Sequence, residues 1–150
     1  MKKTLFFILA ALISIPVYAE KTPDEYIADL KSDNSALTVE ALKALGQKKE
    51  EKAISEIIPL LEKKDSPTVQ FQAAIALGEI GKAGSSTAAL IKLARESVRS
   101  EIQYASLVSL AAIKDADKKS EVQELLSWIS ANTKDDLLKD LASKLSGVLK

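Results

Sequence analysis

The sequence predicts an all-α protein, an α-solenoid in which antiparallel helix pairs stack into a superhelix. About three repeats and flanking terminal helices are expected. Apolar residues make up 47% of the chain and aromatic residues only 5%, so the core must be built from Leu, Ile, Val and Ala. These residues recur at helical spacing, and related segments recur at intervals of 32 or 33 residues, which is typical of stacked repeats.

The first nineteen residues have the layout of a cleaved secretory signal. Lys2 and Lys3 precede a continuous apolar run, and Val17 and Ala19 occupy the positions that a signal peptidase reads. The run is shorter than the roughly 20 residues of a bilayer span. We therefore expect residues 1–19 to be removed from a periplasmic or secreted protein, without stable membrane insertion after cleavage. An uncleaved N-terminal anchor is the alternative.

The rest of the chain, residues 20–150, is expected to be a single domain with three copies of one unit. The copies span residues 33–64, 65–96 and 97–131. The first helix of the middle copy places four apolar residues on one face, Val69, Ala73, Leu77 and Ile80. Asp33 and Asp65 stand beside the helix starts as candidate caps.

Each copy continues into a second, leucine-rich helix. Its core positions are Ile57, Ile58 and Leu61, then Ala89, Leu90 and Leu93, then Leu125, Leu126 and Ile129. Capping helices should cover the two ends of the stack, at about residues 23–31 and 134–149. Their inward residues are predicted to be Tyr26, Ile27 and Leu30 at one end, and Leu137, Leu138, Leu141, Leu145 and Val148 at the other.

Small residues recur at matching positions of the first helices. The columns are Gly46, Gly78, Ala111 and Ala44, Ala76, Ser109. Alanine adopts a left-handed backbone poorly, so the shared property is small volume, which helices need when their axes approach to about 8 Å. Gly78→Ala should then be mild, because alanine already fills the third position. Gly81, in contrast, suits a left-handed helix cap.

The string DSPTVQFQAAIALGEIG, followed by a leucine-rich helix, resembles HEAT repeats, specifically the short repeats of bilin-lyase-like proteins. The resemblance covers residues 33 to about 131. In that family the string reads approximately D-x-x-V-R-x-x-A-A-x-A-L-G, and here Thr38, Gln70 and Gln103 stand in place of its arginine. The replacement argues against the family's usual Asp-to-Arg ladder between repeats.

The third copy can be aligned in two registers. One pairs Ile102 and Tyr104 with Val69 and Phe71 of the middle copy. The other runs through Val98 and Arg99 and restores the arginine, but it turns Glu101 toward the core. We prefer the first register.

The residue types argue against catalysis. The chain contains no histidine or cysteine, which removes the commonest general base, the thiol nucleophile and nearly every zinc or copper site. Ser85 and Ser86 suit helix caps rather than a nucleophile elbow. Two pairs of acidic residues also suit turns and helix starts. They are Asp115 with Asp117, and Asp135 with Asp136. We expect no enzyme activity, metal or cofactor.

Charge argues against nucleic acid as a partner. Without Lys2 and Lys3 the chain carries 19 basic and 21 acidic side chains, whereas nucleic-acid binding requires a basic excess.

In the HEAT repeats that the sequence resembles, second helices line a concave face. Positions beside the core stripe would then face the groove, namely Glu56, Leu60 and Lys63, then Ala88, Lys92 and Arg95, then Glu124, Trp128 and Ala131. Trp128 near cations is typical of a protein-binding anchor, although it could instead cover the C-terminal helix. Pro59 should kink or break its helix and displace its neighbours in the groove.

Two functions remain open from the sequence. The first is an exported, non-catalytic scaffold or accessory subunit that binds a protein or peptide on the concave face. The alternative, implied by the resemblance, is an accessory lyase-like protein that holds a small ligand or chromophore in the groove.

Overall fold

The computed structural model describes residues 20–149, so the predicted signal at residues 1–19 lies outside it. The described chain forms helices α1 (Pro23–Asp29), α2 (Ser35–Gln47), α3 (Ile54–Ile57), α4 (Pro67–Ile80), α5 (Ser85–Glu96), α6 (Ser100–Ile113), α7 (Lys119–Asn132) and α8 (Asp136–Val148). Two 3-10 turns, Glu51–Ala53 and Ile58–Glu62, flank α3. None of the helices described is long and apolar enough to span a bilayer.

The helices stack in two layers. The first helices of the three copies, α2, α4 and α6, pack side by side. The second layer contains α3 with its flanking turns, α5 and α7. At the ends, α1 packs on α2, and α8 packs on α7 and α6, where the first helix of a further repeat would lie. The prediction of an all-α solenoid is confirmed.

The predicted apolar stripes form the core between the layers. In α4, Val69, Ala73, Leu77 and Ile80 are all buried. The predicted core positions of the second helices are likewise buried or packed against the core.

The closing helix α8 is only partly as predicted. Leu138 is buried, and Leu141 and Leu145 pack against the core. Leu137 and Val148, however, are 78% and 77% exposed, so their predicted inward orientation is wrong. Most contacts of α8 are with α7 and α6, which cover a narrower stripe of the helix than its apolar pattern.

Pro59 breaks the second helix of the first copy, as predicted. Four residues of α-helix, Ile54–Ile57, give way at Ile58 to a 3-10 turn. Proline has no N–H to donate to the carbonyl four residues earlier, and its ring crowds that carbonyl. A 3-10 turn has three residues per turn rather than 3.6, so the side chains after Ile57 rotate relative to an α-helix.

The small residues allow close helix packing, as predicted. A Cβ atom added to Gly46 would lie 3.2 Å from the Cα atom of Ala76 on the next first helix, and would also collide with the flexible carboxylate of Glu79. A Cβ atom added to Gly78 would lie only 2.7 Å from the Cα atom of Ser109. The expectation that Gly78→Ala is mild is therefore wrong, because α4 and α6 leave no space for a methyl group there.

A left-handed residue ends the first helix of every copy. Gly81 has a φ of 74° and donates its N–H to the Leu77 carbonyl at 3.1 Å, so its predicted role as a cap is confirmed. The matching residues Lys49 and Lys114 both have a φ of 52°. The left-handed cap is thus a property of the repeat and not of glycine alone.

The helix starts differ from the predicted caps. Asn34, not Asp33, caps α2 by accepting the Ala36 N–H at 3.0 Å. Gly84 occupies the N-cap of α5 with a φ of 89°, so the interpretation of Ser85 and Ser86 as caps is wrong. The Gly84 N–H donates instead to the carboxylate of Asp115 in the neighbouring repeat, at 2.9 Å.

The preferred register of the third copy is confirmed because Ile102 is fully buried. Gln70 donates from Nε2 to the Leu61 carbonyl at 2.7 Å, and Gln103 donates to the Ala94 carbonyl at 3.0 Å. These amides replace the arginine of the motif and tie α4 and α6 to the end of the second helix that precedes each of them.

Candidate binding clefts

A cleft of about 730 Å³ opens between the Ile58–Glu62 turn and α5. We call it the first cleft. Its apolar floor is formed by Ile58, Leu61, Ala89 and Leu93. Residues 97–99, which join α5 to α6, close one side. The break at Pro59 shapes the opposite wall, since the lining residues Ile58, Leu61 and Glu62 belong to the 3-10 turn.

Charged side chains surround the first cleft, namely Glu62, Lys64, Lys92, Glu96 and Arg99. The Nζ atom of Lys92 lies 2.8 Å from Oε1 of Glu62. The hydrogen bond between them raises the pKa of Lys92 and lowers the pKa of Glu62 from their ordinary values. Both side chains are more than half exposed, so the ion pair is screened by water and contributes little to stability.

A second cleft, of about 290 Å³, lies one repeat further along, beside the end of α7. Trp128, Ile129 and Asn132 line it from α7, and Trp128 is 40% exposed. Asp135 lies at its far side, where its carboxylate accepts the Leu138 N–H at 3.1 Å. This bond, the largest cause, holds the pKa of Asp135 below its ordinary value.

The two clefts occupy equivalent places in neighbouring repeats. Gln70 lines the first and Gln103 lines the second, and both amides make the same bond to a preceding helix. Lys92 and Trp128 also occupy matching positions of α5 and α7. The repeat architecture therefore produces a row of clefts whose chemistry changes from charged to aromatic.

Val98 stands between the clefts and lines both of them. Its side chain is 98% exposed, the largest exposure among the apolar side chains described as exposed. Isolated exposed valines are common, but this one separates two clefts with apolar walls. Together with Trp128 it forms an apolar edge suited to contact with another molecule.

Two of the predicted groove residues line these clefts, Lys92 the first and Trp128 the second. Arg95 and Glu124 are exposed on the same two helices but line neither cleft. Glu56 is half-buried, and its carboxylate lies 3.4 Å from Nζ of Lys31.

The first copy departs from the predicted groove column. Leu60 is 6% exposed and belongs to the core, so its predicted place in the groove is wrong. The 3-10 turn after Ile57 rotates Leu60 inward, whereas the column had assumed α-helical spacing. Lys63 follows the turn and is half-buried.

Sequence reasoning missed Val98 and Arg99 as surface residues of a site. The sequence analysis considered these two residues only as part of the alternative register of the third copy, which was not preferred. One signal was present, because a valine in a polar segment between two helices belongs to no core stripe. Their convergence on the first cleft depends on how α5 and the Ile58–Glu62 turn pack, which helical periodicity does not specify.

The described part of the chain offers few groups for chemistry. Across residues 20–149, no group of three or more acidic, histidine or cysteine side chains could hold a metal ion. Asp115 accepts the backbone N–H groups of Gly84 and Asp117, which occupies its carboxylate in structural bonds. The clefts provide apolar surface, an aromatic ring and charged side chains.

The stacked helix pairs and the inter-repeat clefts define the class of α-solenoid repeat proteins. The sequence pattern of the family described as HEAT repeats matches residues 24–111, more than half of the chain. The chain therefore belongs to the HEAT-repeat family. A comparison with curated proteins finds no significant match.

Proposed function

We propose that this chain is an exported, non-catalytic HEAT-repeat protein that binds a protein or peptide along its second helices, as a scaffold or accessory subunit. The observation that carries the proposal is the pair of equivalent clefts that share the exposed side chain of Val98. Contact surfaces for proteins combine buried apolar anchors with a polar rim, and the clefts have both.

The surface that we assign to the partner modifies the predicted one. Trp128 and Lys92 remain its central residues, with Arg95 and Glu124 at the periphery. Leu60 is buried and does not belong to this surface, whereas Val98 and Arg99 do. Glu56, in α3, and Lys63, at the end of the 3-10 turn, line neither cleft.

Site-specific photo-crosslinking tests this proposal. A crosslinking amino acid replaces Val98 at the clefts or, as a matched control, Val108, which is 38% exposed on the first helix α6. In the native compartment we expect a discrete adduct from position 98 only. Trp128→Ala should reduce this adduct, whereas Tyr104→Ala, an exposed aromatic residue on α6, should not. Equal adducts from both positions, or none from position 98, would contradict the proposal.

The second candidate, an accessory lyase-like protein with a bound small ligand, is supported by one observation. The first cleft has a volume of about 730 Å³, within the range of small-molecule sites. Its lining lacks the histidine or cysteine that would attach or activate a chromophore. Visible absorption by the protein purified from its native compartment would favour this candidate over a peptide partner.

A further inference from the structure

Helix α8 has apolar surface left over after the core has formed. Leu137, Leu141, Lys144 and Val148 follow one another at separations of four, three and four residues, so they lie along one side of the helix. Leu137 and Val148 are exposed, and Leu141 is half-buried where it packs against the core. We call these four residues the outer stripe.

The outer stripe carries one cation, and a carboxylate lies next to it. The Nζ atom of Lys144 is 2.6 Å from Oδ2 of Asp140. Both side chains are more than half exposed, so they can reach a second molecule. Because the two charges balance, an apolar surface that covers the stripe does not bury an unpaired charge.

The spacing of the outer stripe is that of the seam between two helices of a coiled coil. The order of the separations is the same when it is read from either end. A second α8 that runs antiparallel to the first can therefore place its Val148 beside Leu137 and its Lys144 beside Leu141. Each Lys144 then lies near Asp140 of the other copy as well as near its own.

Charge selects the antiparallel orientation. In a parallel pair the two Lys144 side chains would face each other, and so would the two Asp140 side chains, and like charges repel. In the antiparallel pair each ammonium group approaches a carboxylate of the other copy. Both copies then use the same surface, as in a twofold dimer. This self-complementarity favours a second copy of the chain as the molecule that covers the outer stripe.

We infer that two copies of this protein associate through the outer stripes of antiparallel α8 helices. The stripe extends over about 16 Å of helix, so the contact is small and the dimer dissociates on dilution. The described residues that line the first and second clefts include none of the outer stripe. The dimer therefore presents both clefts twice, which strengthens binding of a partner with two matching segments. This inference goes beyond the proposed function and does not depend on it.

Sedimentation velocity over a wide range of concentration tests the association, with protein purified from its native compartment. We expect a monomer–dimer equilibrium. Leu137→Ser combined with Val148→Ser should weaken the dimer by about tenfold or more, since the apolar ends of the contact are lost. Circular dichroism should show an unchanged fold, because both side chains are exposed. Val98→Ser, which alters an exposed valine at the clefts, is the matched control and should leave the equilibrium unchanged.

Charge reversal tests whether the partner is a second copy. Lys144→Asp and Asp140→Lys each place two like charges at the centre of the contact, so each variant alone should be monomeric. An equimolar mixture of the two should form a heterodimer, because each variant supplies the charge that the other lacks. The combined change, Asp140→Lys with Lys144→Asp, should restore self-association. A mixture that associates no better than its components would overturn the inference.

Cysteine crosslinking tests the orientation, since the sequence contains no cysteine of its own. Leu137→Cys and Val148→Cys are mixed in equal amounts and oxidised, and the products are identified by mass spectrometry. The antiparallel pair predicts mainly the disulfide between position 137 of one copy and position 148 of the other. A preference for disulfides between identical positions would indicate a parallel pair and overturn the inference. So would a wild type that stays monomeric but binds anionic lipid vesicles through Leu137 and Val148, because the stripe would then contact a membrane surface.

Discussion

At the scale of single residues, glycine has two different roles in this protein. Gly46 and Gly78 lie within helices and provide space for the neighbouring first helix. Gly81 lies at a helix end and provides a left-handed φ of 74°. Lys49 and Lys114 adopt the same left-handed conformation in the other copies, so residue type alone does not reveal it.

Gly78→Ala should lower the free energy of unfolding by about 1–3 kcal/mol, because the added methyl group overpacks the contact with Ser109. Gly46→Ala is the matched control, since it adds the same group at the equivalent position. There the main obstacle is the flexible carboxylate of Glu79, and the higher helix propensity of alanine offsets part of the cost. Urea denaturation followed by circular dichroism measures both. Equal losses would contradict the close approach at Ser109.

At the scale of single elements, the broken helix of the first copy determines which side chains reach the surface. Pro59 converts the segment after Ile57 into a 3-10 turn, and the turn carries Leu60 into the core. The sequence predicted the break but not the rotation, since the number of residues that follow a 3-10 path depends on packing against α4 and α5.

Leu60→Ala should destabilise the protein by about 2–4 kcal/mol, because it removes a buried side chain and leaves a cavity. Lys92→Ala, at the matching position of α5, should change stability by less than about 0.5 kcal/mol, since its side chain is exposed. Thermal or urea unfolding of both variants makes the comparison. A small effect of Leu60→Ala would mean that Leu60 faces solvent, as the groove column had predicted.

Side-chain amides of two glutamines link helices of neighbouring repeats. Gln70 and Gln103 make the same bond in successive repeats, to Leu61 and Ala94. A glutamine in place of the arginine of the motif thus retains a link between neighbouring repeats, but it does so through a carbonyl acceptor rather than through an aspartate.

At the scale of the whole molecule, each repeat contacts its neighbours, and stability is shared among the interfaces. The turn of the third copy is joined to that of the second by the bond from the Gly84 N–H to Asp115. That bond, the largest cause, holds the pKa of Asp115 below its ordinary value of 3.8. The stabilisation is complete above pH 3.8 and is lost as the pH falls through the lower pKa of the folded state.

Asp115→Asn should therefore reduce the free energy of unfolding at pH 7 by about 1 kcal/mol, since the amide oxygen still accepts a bond but carries no charge. The difference from wild type should shrink as the pH falls below 3.8, because the carboxylate is protonated first in the unfolded state and then, at its lower pKa, in the folded state. Urea titrations at pH 7 and pH 3 measure this, with Asp117→Asn, an exposed residue of the same turn, as control. A difference that is constant with pH would exclude the carboxylate as its source.

The proposed export also concerns the whole chain, and the proposal rests on the sequence of residues 1–19. If a signal peptidase reads Val17 and Ala19, the intact mass of the exported protein should correspond to a chain that begins at Glu20. Ala19→Arg should block this cleavage. A full-length mass in the membrane fraction of the wild type would support the uncleaved anchor instead.

The repeat, the two-helix unit, the core stripes and the break at Pro59 could all be predicted from the sequence. These features follow from residue types at short and regular separations, which act on the backbone locally. Trp128 and Lys92 could be selected for the same reason, because helical spacing places both beside a core stripe.

Which surfaces meet could not be predicted in this way and follows from the packing of the helices in three dimensions. That packing turned Leu60 inward, brought Val98 and Arg99 to the first cleft, and left no space beside Gly78. Each of these outcomes depends on the distance and rotation between elements that are far apart in sequence. Helical periodicity specifies which face of an element is apolar. The distance and rotation of that face relative to its neighbours depend on how all of these elements pack together.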